Sequence, residues 1–120
     1  MFLKEKLRFN YDGGLLAYST NGGANWTDAG ALFINNGYNG AIYSAGSNPL
    51  AGYSAFVGAS SGMLSSRLNL ASLAGQTVKF SYWIGTDSSN YYAPKGWYID
   101  DVRLYYCVPN VQVTVISVPA

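Results

Sequence analysis

Apolar and polar residues alternate with a period of two along most of the chain, which is typical of β-strands buried on one face. In the first such segment, Leu7, Phe9 and Tyr11 share one face and the polar residues between them share the other. The segments predicted as strands are residues 6–11, 15–18, 26–33, 41–44, 53–59, 63–68, 78–86, 97–106 and 111–118. A helical pattern is confined to residues 70–74, where we predict a short turn closed by Gly75.

Turn sequences rich in Gly, Asn and Asp separate the predicted strands. They are Asp12-Gly13-Gly14, Asn21-Gly22-Gly23, Asn36-Gly37, Asn39-Gly40, Asn48-Pro49 and Ser61-Gly62. Many short strands divided by such turns are typical of an antiparallel sandwich or barrel. We therefore predict an all-β fold, an antiparallel β-sandwich or barrel.

The C-terminal residues form a separate segment. Residues 111–118 alternate between two semi-apolar faces, with Pro109 before them and Pro119 after them. Proline cannot donate to a strand ladder, so the two prolines isolate this segment as a detachable strand. An apolar strand with an open edge is prone to aggregate, and we expect it to pair with something. The predicted organisation is a domain over residues 1–108 and a tail over residues 109–120.

Composition and charge exclude several classes of partner. The 120 residues are 49% hydrophobic, 16% aromatic and 11% charged, with a net charge of +1. A single domain fits this length, and no basic patch for nucleic acid is apparent. No apolar run reaches the roughly 18 residues that span a bilayer. The first residues also lack the apolar core of a signal peptide.

Catalytic chemistry is limited by the missing histidine. The sequence contains none, which removes the commonest general base and metal ligand and every Ser–His or Cys–His catalytic pair. The single cysteine, Cys107, has no partner for an intrachain disulfide and is interpreted as a small, nearly apolar residue ending a strand. We predict a protein without catalytic activity.

The most specific local motif is the segment STNGGANW at residues 19–26. It resembles the Asp-box, a Ser-x-Asp-x-Gly-x-x-Trp hairpin, with Asn21 in the acidic position. We expect the Asn21 side chain to accept backbone N–H groups, Gly23 to adopt positive φ, and Trp26 to pack back over the hairpin. The motif predicts a fold-stabilising turn and implies no sialidase chemistry.

A second constellation is the segment GWYIDDVRLY at residues 96–105. On a regular strand, Asp100 shares a face with Val102 and Leu104, which favour the core, and adjacent Asp101 points the other way. Divergent carboxylates cannot act as the facing pair of a glycosidase. An inward Asp100 needs a basic neighbour, backbone N–H groups, or a hard cation such as Ca²⁺, for which Asp12 is the nearest second ligand by type.

Eleven tyrosines and three tryptophans are too many for a small core. The candidates for ligand contact, which lie in or beside Gly/Ser/Asn loops, are Tyr38, Tyr43, Tyr91, Tyr92 and Trp97. Exposed aromatic rings stack on sugar faces or anchor protein interfaces. The alternative is that these rings cover sheet edges or simply favour strands.

Eight motifs carry a resemblance to a known family, and they keep the order and spacing of that family. They are YDGG at 11–14, YSTNGGANW at 18–26, GYNG at 37–40, NPLAG at 48–52, AFVG at 55–58, LAGQTV at 73–78, GTDS at 85–88 and GWYIDDV at 96–102. The chain resembles the MAM-like jelly-roll domain of secreted bacterial peptidases, of the immune inhibitor A-like and fungalysin-associated kind. The resemblance implies a jelly-roll-like β-sandwich, an extracellular setting and a non-catalytic role. By analogy with related jelly rolls, it also implies that the WYIDD segment could bind a metal ion.

The chain departs from this family at its start, where ten residues precede Tyr11 in place of further strands. The resemblance therefore describes an N-terminally truncated sandwich with an exposed edge. We expect the tail strand, residues 111–118, to fill that edge, either within the chain or by exchange between two chains.

Two functions follow as expectations. The first is a binding or accessory module that recognises a glycan or protein surface through its loop aromatics. The alternative is a structural self-assembly module, a homodimer through exposed or swapped strands, with no separate ligand.

Overall fold

The computed structural model describes residues 2–3, 10–88 and 96–106. The strands are β1 (Phe2–Leu3), β2 (Gly13–Ser19), β3 (Thr27–Asp28), β4 (Phe33–Asn35), β5 (Gly40–Ala41), β6 (Ser54–Ala55), β7 (Arg67–Leu68), β8 (Lys79–Gly85) and β9 (Gly96–Trp97). Two three-residue 3-10 helices, Gly30–Leu32 and Ala71–Leu73, complete the regular structure of these ranges. The predicted all-β class is confirmed for the described residues.

A three-stranded antiparallel sheet forms the centre of the fold, in the order β3-β2-β8. The register of β2 and β8 runs without interruption from Gly13↔Gly85 to Ser19↔Lys79. Three two-stranded antiparallel pairs surround it, namely β1-β9, β4-β7 and β5-β6. These sheets are small and not closed, so the described residues establish the β class without a complete sandwich.

Strand β2 is covered on both faces, because neighbouring segments pack directly against its backbone. A Cβ atom on Gly13 would lie 2.7 Å from the Ile42 side chain, and one on Gly14 would lie 2.5 Å from the Trp97 ring. On the Gly13 side, Ile42 packs with Ala55 and Val57 in a buried cluster. The two glycines therefore let β2 serve as the centre of the fold.

The two longest predicted strands that lie wholly within the described ranges have different outcomes. Residues 78–86 were predicted as a strand, and β8 occupies Lys79–Gly85. Residues 97–106 were also predicted as a strand, but the strand there is only Gly96–Trp97. The prediction is wrong because Asp101 adopts φ +56° and donates its N–H to Asp100 Oδ1 at 2.8 Å. This local hydrogen bond competes with the extended backbone.

Residues 26–33 are likewise not one strand. Strand β3 ends at Asp28, whose Oδ1 accepts the N–H of Gly30 at 2.8 Å, and a 3-10 helix follows at Gly30–Leu32. An Asp side chain that bonds the backbone two residues on forms an Asx-turn, which interrupts the period-two pattern.

The shorter predictions are confirmed in part. Residues 15–18 lie within β2, and strands occupy portions of the segments 41–44, 53–59 and 63–68. The turn predicted at residues 70–74 is the 3-10 helix Ala71–Leu73, and Gly75 has φ +78°. Most of the segment 6–11, the tail strand 111–118, and the boundary between residues 1–108 and 109–120 lie outside the described residues.

Candidate functional site

The Asp-box-like hairpin has the predicted local geometry. Asn21 Oδ1 accepts the N–H of Asn25 at 2.9 Å and the hydroxyl of Ser19 at 2.8 Å. Gly23 has φ +101°, and its N–H donates to Ser19 Oγ at 2.9 Å. These bonds lie within the hairpin and close it, so they support the structural interpretation of the motif.

Trp26, which precedes β3, packs against the far strand of the central sheet. Its ring lies edge-on to that of Trp83 on β8, with centroids 6.3 Å apart. Such an aromatic pair contributes about 0.5–1.5 kcal/mol beyond its buried area. Trp26 therefore fixes the hairpin against β8.

Tyr38, a predicted ligand-contact residue, completes the hydrogen bonding of β2. Its hydroxyl accepts the N–H of Leu16 at 2.9 Å and donates to Asp28 Oδ1 at 2.7 Å. Burial, and then the hydrogen bond to Asp28, raise the pKa of Tyr38 well above its usual value. The hydroxyl thus occupies the position that a neighbouring strand would otherwise fill.

The second predicted contact residue, Trp97, lies in a row of aromatic rings. The row runs through Phe33, Tyr38, Phe56, Trp97 and Tyr82, with neighbouring centroids 5.1–5.9 Å apart. Trp97 covers the backbone of Gly14 and is half-buried. Phe56 therefore links the two predicted contact residues, Tyr38 and Trp97, through ring packing.

Tyr43, another aromatic candidate, is not part of this row. Tyr43 is exposed and its ring lies 5.0 Å from that of Tyr11. In the part of the chain that the structure describes, no ring contact joins Tyr43 to Tyr38 or Trp97. Tyr91 and Tyr92 lie outside the described residues.

An open groove beside β4, here called the β4 groove, has a volume of about 670 Å³. Its lining combines aromatic, amide, hydroxyl and carboxylate groups, from residues that include Asp28, Phe33, Asn35, Asn36, Tyr38 and Ser54. Among the described residues, Tyr38 is the one predicted contact residue in this lining. Sequence reasoning missed the others, although the predicted turn at Asn36-Gly37 indicated a polar surface beside them.

Two polar groups of the β4 groove are held in place by internal bonds. Asp28 accepts from the Gly30 N–H and from the Tyr38 hydroxyl, and Asn36 donates its amide to the Ser65 carbonyl at 2.8 Å. Fixed polar groups beside aromatic rings can position a hydroxyl-rich ligand without a large entropic cost of ordering side chains.

Asp100, a predicted metal ligand, does not point into the core as predicted. Asp100 is exposed, and so are Val102 and Leu104, whose exposed fractions are 70% and 80%. The prediction that Asp100 points into the core is therefore wrong, since the strand that would have turned it inward does not form. Arg103 pairs with Asp101 at 2.8 Å on the surface.

Asp12 is buried, and its Oδ1 accepts the N–H of Asp87 at 3.0 Å. Among the described residues, no group of three or more His, Cys, Asp or Glu side chains could hold a metal ion. The described residues therefore supply no set of carboxylate ligands for the predicted Ca²⁺ site.

A row of apolar side chains on β8, here called the β8 row, consists of Phe80, Tyr82 and Ile84. Their exposed fractions are 42%, 42% and 54%, and Tyr82 also touches the Trp97 ring. Large apolar side chains exposed side by side mark interaction surfaces on soluble proteins.

Comparison with family models, curated proteins and solved structures finds no match to this chain. The resemblance to the MAM-like domain therefore stays a prediction. Within the described ranges, no helix combines the length and the apolar character that a bilayer crossing requires.

Proposed function

We propose that the chain is a non-catalytic binding module whose ligand site is the β4 groove, and that its complete fold is a jelly-roll-like β-sandwich. The observation that carries this proposal is the lining of the groove, where Tyr38 and Phe33 lie beside Asp28 and two asparagines. Its volume, about 670 Å³, is in the range of about 300–1,000 Å³ that small-ligand sites occupy.

A glycan is the ligand class that this lining favours over a protein surface. Sugars present hydroxyl groups that bond to amide and carboxylate groups, and apolar ring faces that pack on aromatic side chains. Asn35 is exposed on β4 and offers both a donor and an acceptor to such hydroxyls.

The test is a glycan array probed with the full chain, followed by calorimetry on any glycan that binds. Asn35→Ala should weaken binding by about tenfold, since a lost hydrogen bond costs about 1.5 kcal/mol. Asn25→Ala is the matched control, because Asn25 is an exposed asparagine outside the groove lining, and it should bind like the parent chain.

Two results would contradict the proposal. An array without signal would argue against a glycan ligand, and equal loss of affinity in both variants would argue against the β4 groove as the site. If a protein binds at the groove instead, the chain would still be a binding module, but its ligand would be a protein and not a glycan.

The second candidate is a structural self-assembly module, and the β8 row favours it. Three neighbouring large apolar side chains on one strand are exposed in the single chain, and a second copy could cover them. Sedimentation velocity over a range of concentrations tests this candidate, with a monomer at every concentration arguing against it.

A further inference from the structure

Strand β8 is an edge strand in the described part of the chain. It pairs with β2 on one side and ends the order β3-β2-β8. Proteins usually protect such edges with prolines, bulges or charged side chains. The sequence of β8, KFSYWIG, has no proline and a single charge at its first residue, and its register with β2 has no bulge.

Phe80 and Ile84 lie two residues on either side of Tyr82, so the apolar row of β8 is symmetric about its central residue. In an antiparallel pair of two copies with all seven residues opposed, Tyr82 faces Tyr82 of the second copy. Phe80 then faces Ile84, so the exposed apolar side chains of the two β8 rows meet on one face. This is the one antiparallel register in which the full lengths of both strands overlap.

Charge is also compatible with this pairing. Lys79 would face Gly85 of the second copy, which puts the two lysines at opposite ends of the paired strands. Their separation would be roughly 20 Å for strands of this length, beyond the screening length of about 8 Å at physiological salt.

We propose that β8 is a homodimer interface, in which two copies pair their β8 strands about a two-fold axis at Tyr82. The resulting sheet would have the order β3-β2-β8-β8-β2-β3, with both open edges of β8 closed. This inference rests on the self-assembly candidate and is independent of glycan binding.

The decisive experiment is disulfide trapping in the full chain carrying Cys107→Ser. Tyr82→Cys should form a covalent dimer under mild oxidation, because opposed residues place their Cβ atoms about 5 Å apart. Phe80→Cys alone should not, since the two cysteines would lie roughly 14 Å apart along the strands. A mixture of Phe80→Cys and Ile84→Cys chains should form the mixed disulfide.

Sedimentation velocity adds a readout that does not depend on a new cysteine. Ile84→Lys should weaken the dimer at least tenfold by placing a charge against Phe80 of the second copy. Met63→Lys is the control, because Met63 is another exposed apolar residue outside β8. Near-ultraviolet circular dichroism on both variants checks that they remain folded.

The outcomes distinguish failure of the β8 interface from failure of self-assembly, the candidate function on which it rests. A monomer at all concentrations overturns both. If a dimer forms but Tyr82→Cys does not trap it, or Ile84→Lys leaves it intact, self-assembly still holds and the β8 interface is wrong. A dimer dissociated by Val115→Pro in the predicted tail strand, and not by Ile84→Lys, assigns the interface to that strand instead.

Discussion

Individual polar side chains supply hydrogen bonds that short strands leave open in this fold. The Tyr38 hydroxyl bonds the Leu16 backbone. Asn39 does the same for Val57, donating to its carbonyl and accepting from its N–H, both at 2.8 Å. A buried backbone group without a partner is costly, so these side chains help to stabilise a fold in which most of the described strands have only two or three residues.

Replacing Tyr38 by phenylalanine tests this role directly. Tyr38→Phe keeps the ring in its row but leaves the Leu16 N–H without its acceptor, which we expect to cost about 1–3 kcal/mol of unfolding free energy. Urea denaturation measures the loss. Tyr43→Phe is the control, because the Tyr43 ring is exposed, and a loss of similar size there would contradict the assignment.

The raised pKa of Tyr38 also predicts a pH dependence. The folded chain holds the phenolic proton more tightly than the unfolded chain, whose tyrosines titrate near 10.0. The folded state therefore binds more protons above that pH, and its stability must fall as pH rises past it. Denaturation at pH 9 and pH 11 should show this fall, and Tyr38→Phe should reduce it. The residual fall is expected from Tyr82, whose pKa burial also raises. An equal fall in parent and variant would contradict this account.

At the scale of elements, the β2–β3 hairpin depends on the Asn21 side chain. Asn21→Ala removes the acceptor for Ser19 and Asn25 and should cost about 1 kcal/mol. Asn21→Asp keeps an acceptor oxygen at that position, so the urea midpoint of this variant should be close to that of the parent chain. If both variants lose the same stability, the turn does not depend on the Oδ1 bonds.

The accuracy of the sequence-based predictions also differs between elements. Strand β8 was predicted because it is long and its alternation is uninterrupted, and the hairpin at residues 19–26 because its bonds are local. Residues 98–106 were mispredicted because Asp100 and Asp101 form local bonds that the pattern of apolar residues does not contain.

The candidate site was harder to predict from the sequence, because its residues come from distant parts of the chain. Tyr38 was singled out as a loop aromatic, but its partners, Leu16 and Asp28, lie far from it along the chain. The β4 groove likewise combines Ser54 with residues near Asn35. Contacts between distant segments set both features, and a period-two pattern reports only which face of a strand is buried.

At the scale of the whole molecule, the apolar surface is distributed unevenly. One side of β2 buries Ile42, Ala55 and Val57 in a cluster. The β8 row and residues such as Leu104 remain exposed. This uneven distribution favours the proposed self-assembly, in which a second copy would cover the β8 row.

The pairing of β2 with β8 and of β1 with β9 has a consequence for biosynthesis. The β2–β8 ladder joins residues 13–19 to residues 79–85, and the β1–β9 ladder joins Phe2 to Trp97. Contacts between such distant positions require large loops to close first, which slows folding. On the ribosome, β2 emerges long before β8, so its apolar residues lack part of their native cover until β8 emerges. The nascent chain is therefore expected to need protection by a chaperone until residue 97 has left the ribosome.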